Sequence, residues 1–433
     1  MIRSLYSLAL WLAQPLLRRK LVRRGATEPG YLEAVDERFG RYSVASDQGR
    51  LWVHAVSLGE TRAAAILIAQ LRRRLPGMRL LLTHGTATGR AEGAKLAQPG
   101  DLQVWQPWDT PGAVHRFLAH FKPCAGILVE TEVWPNLVAA CRQQGVPLAL
   151  ANARLNDQSL RQAQRLAWLS RPAYRSLAAV WAQTEADAQR LRRLGAPVQG
   201  VFGNLKFDAA PDTAQLAQGR AWRDTTAKPV VMFASSREGE DSPFFQVLQS
   251  FRAQTLDSRS HDAIESIANR VHWLIVPRHP QRFDEVAALV ERHGLTLSRR
   301  SAWSAGPEPA DVWLGDSLGE MALYYGLSDA ALLGGSFAPL GGQNLIEAAA
   351  CGCPVVMGPH TFNFAEAAEL AQDAGAALRV QDMEEAVRSA AALVVQAQRQ
   401  QAARQAALAF AAAHRGAAAA TAEAIAALLQ PER

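Results

Sequence analysis

GGSFAPLGGQNLIEAAACGCPVVMGP, residues 334–359, decides the fold, because it packs two glycine pairs, a helix start, a helix stop and a β-branched run into one short stretch. The apolar run that leads into it, DAALLGG (329–335), reads as a buried strand ending in a tight turn. Asn344 followed three residues later by Glu347 is a capping-box pattern that opens a helix. Gly352 and Pro354 close that helix, and residues 355–357 begin the next strand. A strand, a glycine-rich turn and an exposed helix N-terminus make a seat for a phosphate, since backbone N–H groups and the helix dipole both point at it.

The same alternation runs outward along the chain. Strands are expected at 51–55, 80–83, 126–129, 148–151, 179–182 and 199–202, then at 230–234, 272–276, 330–333, 355–357 and 377–380. Long Ala/Leu/Arg helical stretches separate them, which implies βαβ units and parallel sheets. A chain of 433 residues exceeds what one core organises. The polar, Ala-rich stretch DAAPDTAQLAQGRAWRDTTAK (208–228) separates the two series of strands. The expected organisation is therefore a first domain at 31–208, a linker at 209–228 and a second domain at 229–395. The Ala/Gln-rich tract that follows reads as a single terminal helix within 396–433. Two Rossmann-like doubly wound α/β domains place a cleft at the carboxyl ends of their strands, where such sheets bind ligands.

Composition narrows the chemistry. The four cysteines (Cys124, Cys141, Cys351, Cys353) lack the spacing of a zinc site or a disulfide framework, so no metal is expected and a reduced compartment fits. Net charge is +6, and with five lysines among 46 basic residues, 41 are arginine, which favours phosphorylated or anionic partners. The basic residues are scattered and no nucleic-acid motif is present, which speaks against a nucleic-acid partner. SLYSLALWLAQPLL (4–17) is flanked by Arg3 and by Arg18, Arg19, Lys20, Arg23 and Arg24. It is too short to span a bilayer and lacks a small-residue cleavage site. Residues 1–30 are therefore expected to be a helix lying on an anionic membrane surface, with packing as a core helix the alternative.

Polar motifs follow the expected strands: SLGE, ETEVWPN, NLKFD, SSREGED, PRHPQRF and the opening glycine-rich segment. Glu60, in a strand-to-helix turn, is either a first-turn cap or a general base for an attacking hydroxyl. Glu130 and Glu132 follow a buried strand, and one of them is expected to orient a cation or an acceptor hydroxyl. Lys206 offers a compact positive charge in a chain that rarely uses lysine. Arg278, beside His279, is suited to a nucleotide, and Glu320 in GDSLGE (315–320) and Glu347 to ribose or base donors. Walker A, G-x-G-x-x-G, HExxH and G-x-S-x-G patterns are absent, which leaves nucleotide-sugar chemistry as the natural use of two such domains.

SLGE, ETEVWPN, NARLNDQS, GNLKFD, SSREGED, PRHPQRF, GDSLGE and GGQNLIEAAACGCPVVMGPHTFNF, with the arginine-flanked N-terminus, resemble the lipid A 3-deoxy-D-manno-octulosonic acid (Kdo) transferase family. The resemblance runs in order from about residue 1 to 380. It implies an inverting GT-B glycosyltransferase that moves Kdo from CMP-Kdo to lipid IV-A at the cytoplasmic face of the inner membrane, with no further cofactor. By that resemblance Glu60 matches the proton acceptor, while Glu130 and Lys206 match positions that stabilise the transition state. The CMP site matches Pro277 and Arg278, then Leu318, Gly319 and Glu320, then Asn344, Leu345, Ile346 and Glu347. The chain departs from the family pattern in three places. Gln343 stands where a histidine is usual, SSREGED replaces S-T-H-E-G-E-E, and 253–270 looks like an extended loop. A UDP-sugar transferase of the same fold and a non-catalytic nucleotide-binding membrane module remain as alternatives, separable by CMP against UDP titration and by sugar transfer.

Overall fold

Runs that are apolar at nearly every position, such as AGILV and LLLTH, are buried throughout their length, as strands are in parallel sheets covered by helices on both faces. The computed structural model describes residues 2–256 and 270–430. The chain divides into two units, Met1–Asp208 with His414–Arg433, and Ala209–Ala413.

The first unit carries β1 (Leu51–His54), β2 (Leu80–His84), β3 (Leu102–Trp105), β4 (Ala125–Val129), β5 (Leu148–Ala153), β6 (Ala179–Ala182) and β7 (Val198–Val201). They form one parallel sheet in the order β3-β2-β1-β4-β5-β6-β7. Successive residues feed opposite cores, as a period of two requires. Trp52, Leu128 and Leu150 enter one core, and Val53, Ile127 and Ala149 the other. The second unit carries β8 (Val230–Ser236), β9 (His272–Pro277), β10 (Leu297–Arg299), β11 (Val312–Leu314), β12 (Ala330–Leu333), β13 (Val355–Met357) and β14 (Ala377–Arg379). Its parallel sheet runs β10-β11-β9-β8-β12-β13-β14. In each sheet the order reverses beside the first strand, at β1/β4 and at β8/β12, and such switch points are where doubly wound sheets bind ligands.

Every expected strand is present, with ends shifted by two residues at most. Three strands escaped the sequence reading: β3, β10 and β11. They lie toward the same topological side of their sheets, and two of them are three residues long. Residues 209–228, expected as a linker, instead form helix Thr213–Asp224, which belongs to the second unit. The terminal tract is two helices rather than one, Ala397–Ala413 in the second unit and Ala417–Leu428 in the first. Gly416 adopts φ 112° between them, and Asp208 accepts hydrogen bonds from the N–H groups of Gly416 and Ala418 at 2.5 and 2.6 Å. The loop expected at 253–270 falls largely on residues 257–269, outside the described residues.

The N-terminal helix, Ile2–Thr27, runs beyond the expected apolar stretch and belongs to the first unit. Tyr6 Oη donates to Asp109 at 3.0 Å and Ser7 Oγ to Asn136 Oδ1 at 3.1 Å, while Leu21 is buried. Leu5, Leu8, Leu12 and Leu16 stay exposed. Among the described residues no helix is long and apolar enough to cross a membrane.

Helix Thr213–Asp224 is held by close backbone approach. A Cβ at Gly219 would stand 2.1 Å from the carbonyl oxygen of Leu323, in helix Met321–Leu327. Gly219→Ala is therefore expected to cost about 1–3 kcal/mol through overpacking. Urea unfolding checks this, and an unchanged midpoint would mean that the helix is a loosely held connector.

Candidate active site

In the first unit, β1 turns through 55–57 into helix Leu58–Arg74. Ser57 is the N-cap, and its hydroxyl accepts from the Glu60 N–H at 3.4 Å. Glu60 reaches back: Oε2 accepts from the Val56 N–H at 2.8 Å and Oε1 from the Ser57 hydroxyl at 3.0 Å. This reciprocal capping fixes the carboxylate's position. Burial pushes the Glu60 carboxyl up to about 7, and Glu130 and Glu132 push the same way, against the Val56 and Ser57 hydrogen bonds. The cap and base readings of Glu60 are thus compatible, since the bonds that orient the carboxylate leave it titrating near neutrality.

Glu130 is the first residue after β4 and sits at φ 67°, in the left-handed region. Its N–H donates to Ala151 O at 3.0 Å, which stitches the turn to β5. Its carboxylate pairs with Lys206 Nζ at 3.3 Å, with both side chains mostly buried. Of the two glutamates in ETEVWPN, Glu130 is therefore the one that meets the cation. Glu132 accepts from Trp134 Nε1 at 2.8 Å, and burial raises its carboxyl. Lys206 lies in the turn Leu205–Asp208 after β7. Asn152, at φ 52° near the end of β5, accepts from the Leu205 N–H at 3.0 Å and holds that turn. Asn152 lies in the NARLNDQS motif, but its role depends on a partner 53 residues away.

In the second unit, the ends of β8 and β12 nearly touch. A Cβ at Gly334 would lie 2.1 Å from Ser235 O, so only glycine fits there. Glu240 binds both loops: Oε2 accepts from the N–H groups of Arg237 and Gly335 at 2.9 and 2.7 Å, and Oε1 from Phe337 and Ala338 at 3.0 and 3.2 Å. The sequence reading quoted this glutamate within SSREGED without a role. Gly335 is left-handed at φ 72°, and a Cβ there would lie 3.2 Å from Gln343 Nε2 and 3.7 Å from Arg237 Cγ. Gln343 and the SSREGED loop, two of the three departures from the family pattern, therefore meet around one glycine.

The remaining nucleotide candidates divide by loop. Pro277 pairs with Ser236, and the Arg278 N–H donates to Ser236 O at 3.0 Å. Asn344 caps helix Leu345–Ala350 by accepting from the Ile346 N–H at 3.1 Å, one residue short of the expected capping-box bond. Leu345 and Ile346 have buried side chains, which leaves them only backbone to offer a ligand. Burial raises the Tyr325 phenol well above its ordinary range, with Glu347 raising it further and Arg278 opposing. Arg278 and Glu347 are thus both within electrostatic reach of Tyr325. GDSLGE follows β11, the strand the sequence reading missed, so it too is a strand-end motif. There Leu318 is exposed, Gly319 O accepts from Gln215 Nε2 at 2.9 Å, and Glu320 accepts from Arg300 Nη2 at 2.9 Å.

A family model described as 3-Deoxy-D-manno-octulosonic-acid transferase (kdotransferase) matches residues 33–209. The 3-deoxy-D-manno-octulosonic acid transferase of Bordetella pertussis is 49% identical over 395 residues, covering 89% of this chain and 90% of that one. That of Haemophilus influenzae is 31% identical over 397 residues, covering 90% and 89%. Among solved structures, a glycosyltransferase from Rickettsia africae matches with a TM-score of 0.55 at 12% identity, over 89% of this chain and 100% of that one. The UDP-GlcNAc 2-epimerase of Neisseria meningitidis matches with a TM-score of 0.55 at 14% identity, over 88% and 99%. These two likenesses bear on the fold alone, which is that of the GT-B glycosyltransferases.

A carboxyl whose pKa is higher in the folded than in the unfolded chain stabilises the fold below its ordinary value and loses that contribution as pH rises through the folded value. For Glu60 the window runs from 4.5 to about 7. Glu60→Gln, which keeps the cap geometry, is expected to gain roughly 1–3 kcal/mol relative to the parent between pH 5 and pH 8. Urea unfolding at the two pH values measures this. A difference that does not change with pH would contradict the raised carboxyl.

Proposed function

The chain belongs to the Kdo transferase family of glycosyltransferases, and we propose that it moves Kdo from CMP-Kdo to lipid IV-A with Glu60 as the general base. The observation that carries this reading is the Glu60 carboxylate, fixed by two hydrogen bonds and titrating at about 7. A base works best with a pKa near the working pH. Glu60 takes the proton of an acceptor hydroxyl as its oxygen bonds to the anomeric carbon of Kdo. The bond from that carbon to the phosphate oxygen breaks on the opposite face, and CMP leaves with the electron pair, so configuration inverts. Arg278 and the loop around Asn344 offset the charge on the departing phosphate, with Glu320 and Glu347 directed at ribose and base. The Glu130–Lys206 ion pair fixes an ammonium in the same unit as Glu60, and its role in this reading is to stabilise the transition state.

Attachment to an anionic membrane surface, at the cytoplasmic face of the inner membrane, is part of the same proposal. Leu5, Leu8, Leu12 and Leu16 recur at helical spacing and are exposed, and Arg19, Lys20 and Arg23 extend that side of the helix. The opposite side is bonded to the first unit through Tyr6 and Ser7. Apolar residues followed by arginines suit an interface that joins acyl chains to anionic headgroups.

Purified protein given CMP-Kdo and lipid IV-A is expected to release CMP, with the acid limb of its pH–rate profile near the Glu60 value of about 7. Glu60→Ala should lower turnover by about 10²- to 10⁴-fold while still binding CMP. Full turnover in that variant would remove Glu60 from the mechanism, and tighter binding of UDP than CMP would overturn the donor. In flotation with vesicles containing phosphatidylglycerol, the parent should float and Leu8→Glu/Leu12→Glu should stay at the bottom. Equal flotation would place membrane attachment elsewhere.

A further inference from the structure

We infer that Arg237, with the Gln343 amide beside it, binds the carboxylate of the donor sugar next to the phosphate held by Arg278. This inference rests on the donor reading above and specifies which group of that donor the second cation serves.

The backbone sets the two arginines side by side. Ser236 pairs with Pro277 in the β8–β9 register, so Arg237 and Arg278 are the first residues to leave two adjacent strands. Neighbouring strands lie about 4.8 Å apart. On the other flank of β8, Gly335 leaves β12 without a side chain, and the position of its absent Cβ is 3.7 Å from Arg237 Cγ and 3.2 Å from Gln343 Nε2. The aliphatic stem of Arg237 and an amide nitrogen thus border one gap that a larger residue would fill.

The charges in this loop are unevenly committed. Glu240 is spent on four backbone N–H groups, and Arg282 is bonded to the buried Asp241. Arg237 pairs through Nε with Glu238 at 3.0 Å, but the Glu238 side chain is 56% exposed. An exposed pair of that kind contributes about 0–1 kcal/mol, which a partly desolvated carboxylate in a bidentate fork exceeds. Burial lowers the His279 imidazole, with Arg237 the next cause, Glu238 opposing, and Arg278 and Arg282 acting with Arg237.

The donor's chemistry requires such a pair. In a ulosonic acid donor the anomeric carbon bears both the phosphate ester and a carboxylate, so two anions sit one carbon apart. A single guanidinium cannot grip both bidentately, whereas two on adjacent strands can. An aldose nucleotide has no such carboxylate, so Arg237 separates the two donor classes. Because the carboxylate is present in ground and transition states alike, Arg237 acts on KM rather than kcat.

The test uses the full chain with Arg237→Gln and Arg237→Lys, CMP titration, and steady-state kinetics with CMP-Kdo and lipid IV-A. Glu240 holds the backbone N–H of Arg237 rather than its side chain, so the loop keeps its anchor in both variants. Arg237→Gln is expected to bind CMP within about twofold of the parent while its KM for CMP-Kdo rises about 10- to 100-fold at nearly constant kcat. Arg237→Lys should fall between. If Arg237→Gln loses thermal stability, Arg237→Lys carries the comparison, with a raised KM and retained CMP affinity as the supporting result. An unchanged KM overturns the inference, as does a loss of CMP affinity in step with KM, which would mark a structural role. A parent protein that binds no CMP and turns over no CMP-Kdo would sink the donor reading itself, and this inference with it.

Discussion

The geometry of the second unit's strand ends depends on one buried carboxylate. Glu240 is 1% exposed and accepts four backbone N–H groups drawn from the loops after β8 and β12. Burial raises its carboxyl despite those four bonds, so desolvation outweighs them. Without it, one buried and three partly buried backbone donors would lose their acceptor, at about 1–3 kcal/mol for one left buried and unsatisfied. The contact between the strand ends at Gly334 and Ser235 needs such a tie, because it forces Ser235 into a left-handed conformation at φ 55°. The switch point of this sheet is therefore set by the protein's own bonds, with Arg237, Gly335 and Gln343 already in position.

Glu60 resembles Glu240 in being a largely buried carboxylate raised by desolvation, and the contrast between them assigns the roles. Glu240 has both oxygens saturated by backbone amides in a loop that pins two strands. Glu60 holds one backbone N–H and one hydroxyl, the latter reversible in direction, and it remains partly open to solvent. A carboxylate with four fixed donors has no capacity left for a proton in transit, whereas one with two has. The same residue type at two strand ends thus serves as a brace in one unit and, in the proposed reaction, as a base in the other.

The strands were legible because residues buried on both faces make unbroken apolar runs, as in β4 and β12. β10 and β11 were not, since three residues with a polar neighbour carry no period, and without β11 GDSLGE could not be recognised as a strand-end motif. The helix at Thr213–Asp224 was hidden by composition: its polar, Ala-rich surface reads as a tether, whereas buried Leu216 and Trp222 and the glycine contact with Leu323 show that it is packed. The break at Gly416 looked like part of one helical tract because the cap that enforces it, Asp208, lies far away in sequence. For the site, Glu60, Glu130 and Lys206 were each readable as strand-end residues, but their mutual contacts were not. The same holds for Arg237 and Gln343, whose meeting around Gly335 depends on the order of β8 and β12 in the sheet.

In the proposed reaction, charge gives a reason for drawing on two sheets. The strand ends of the first unit gather Glu60, Glu130 and Glu132 with Lys206 and Arg154, and the neighbouring carboxylates help hold Glu60 at about 7. Those of the second unit gather Arg237, Arg278 and Arg282. An arginine within about 4–6 Å of a carboxylate lowers its pKa by 1–3 units, which would weaken Glu60 as a base at neutral pH. Among the arginines, Glu240 is taken up by backbone N–H groups and Asp241 by Arg282, whereas an unpaired carboxylate there would repel a nucleotide's phosphate. One sheet edge cannot be anionic enough to keep a neutral-range base and cationic enough to hold a leaving phosphate. Two sheets, each with its own switch point, meet both requirements of the proposed transfer from a phosphate to a hydroxyl.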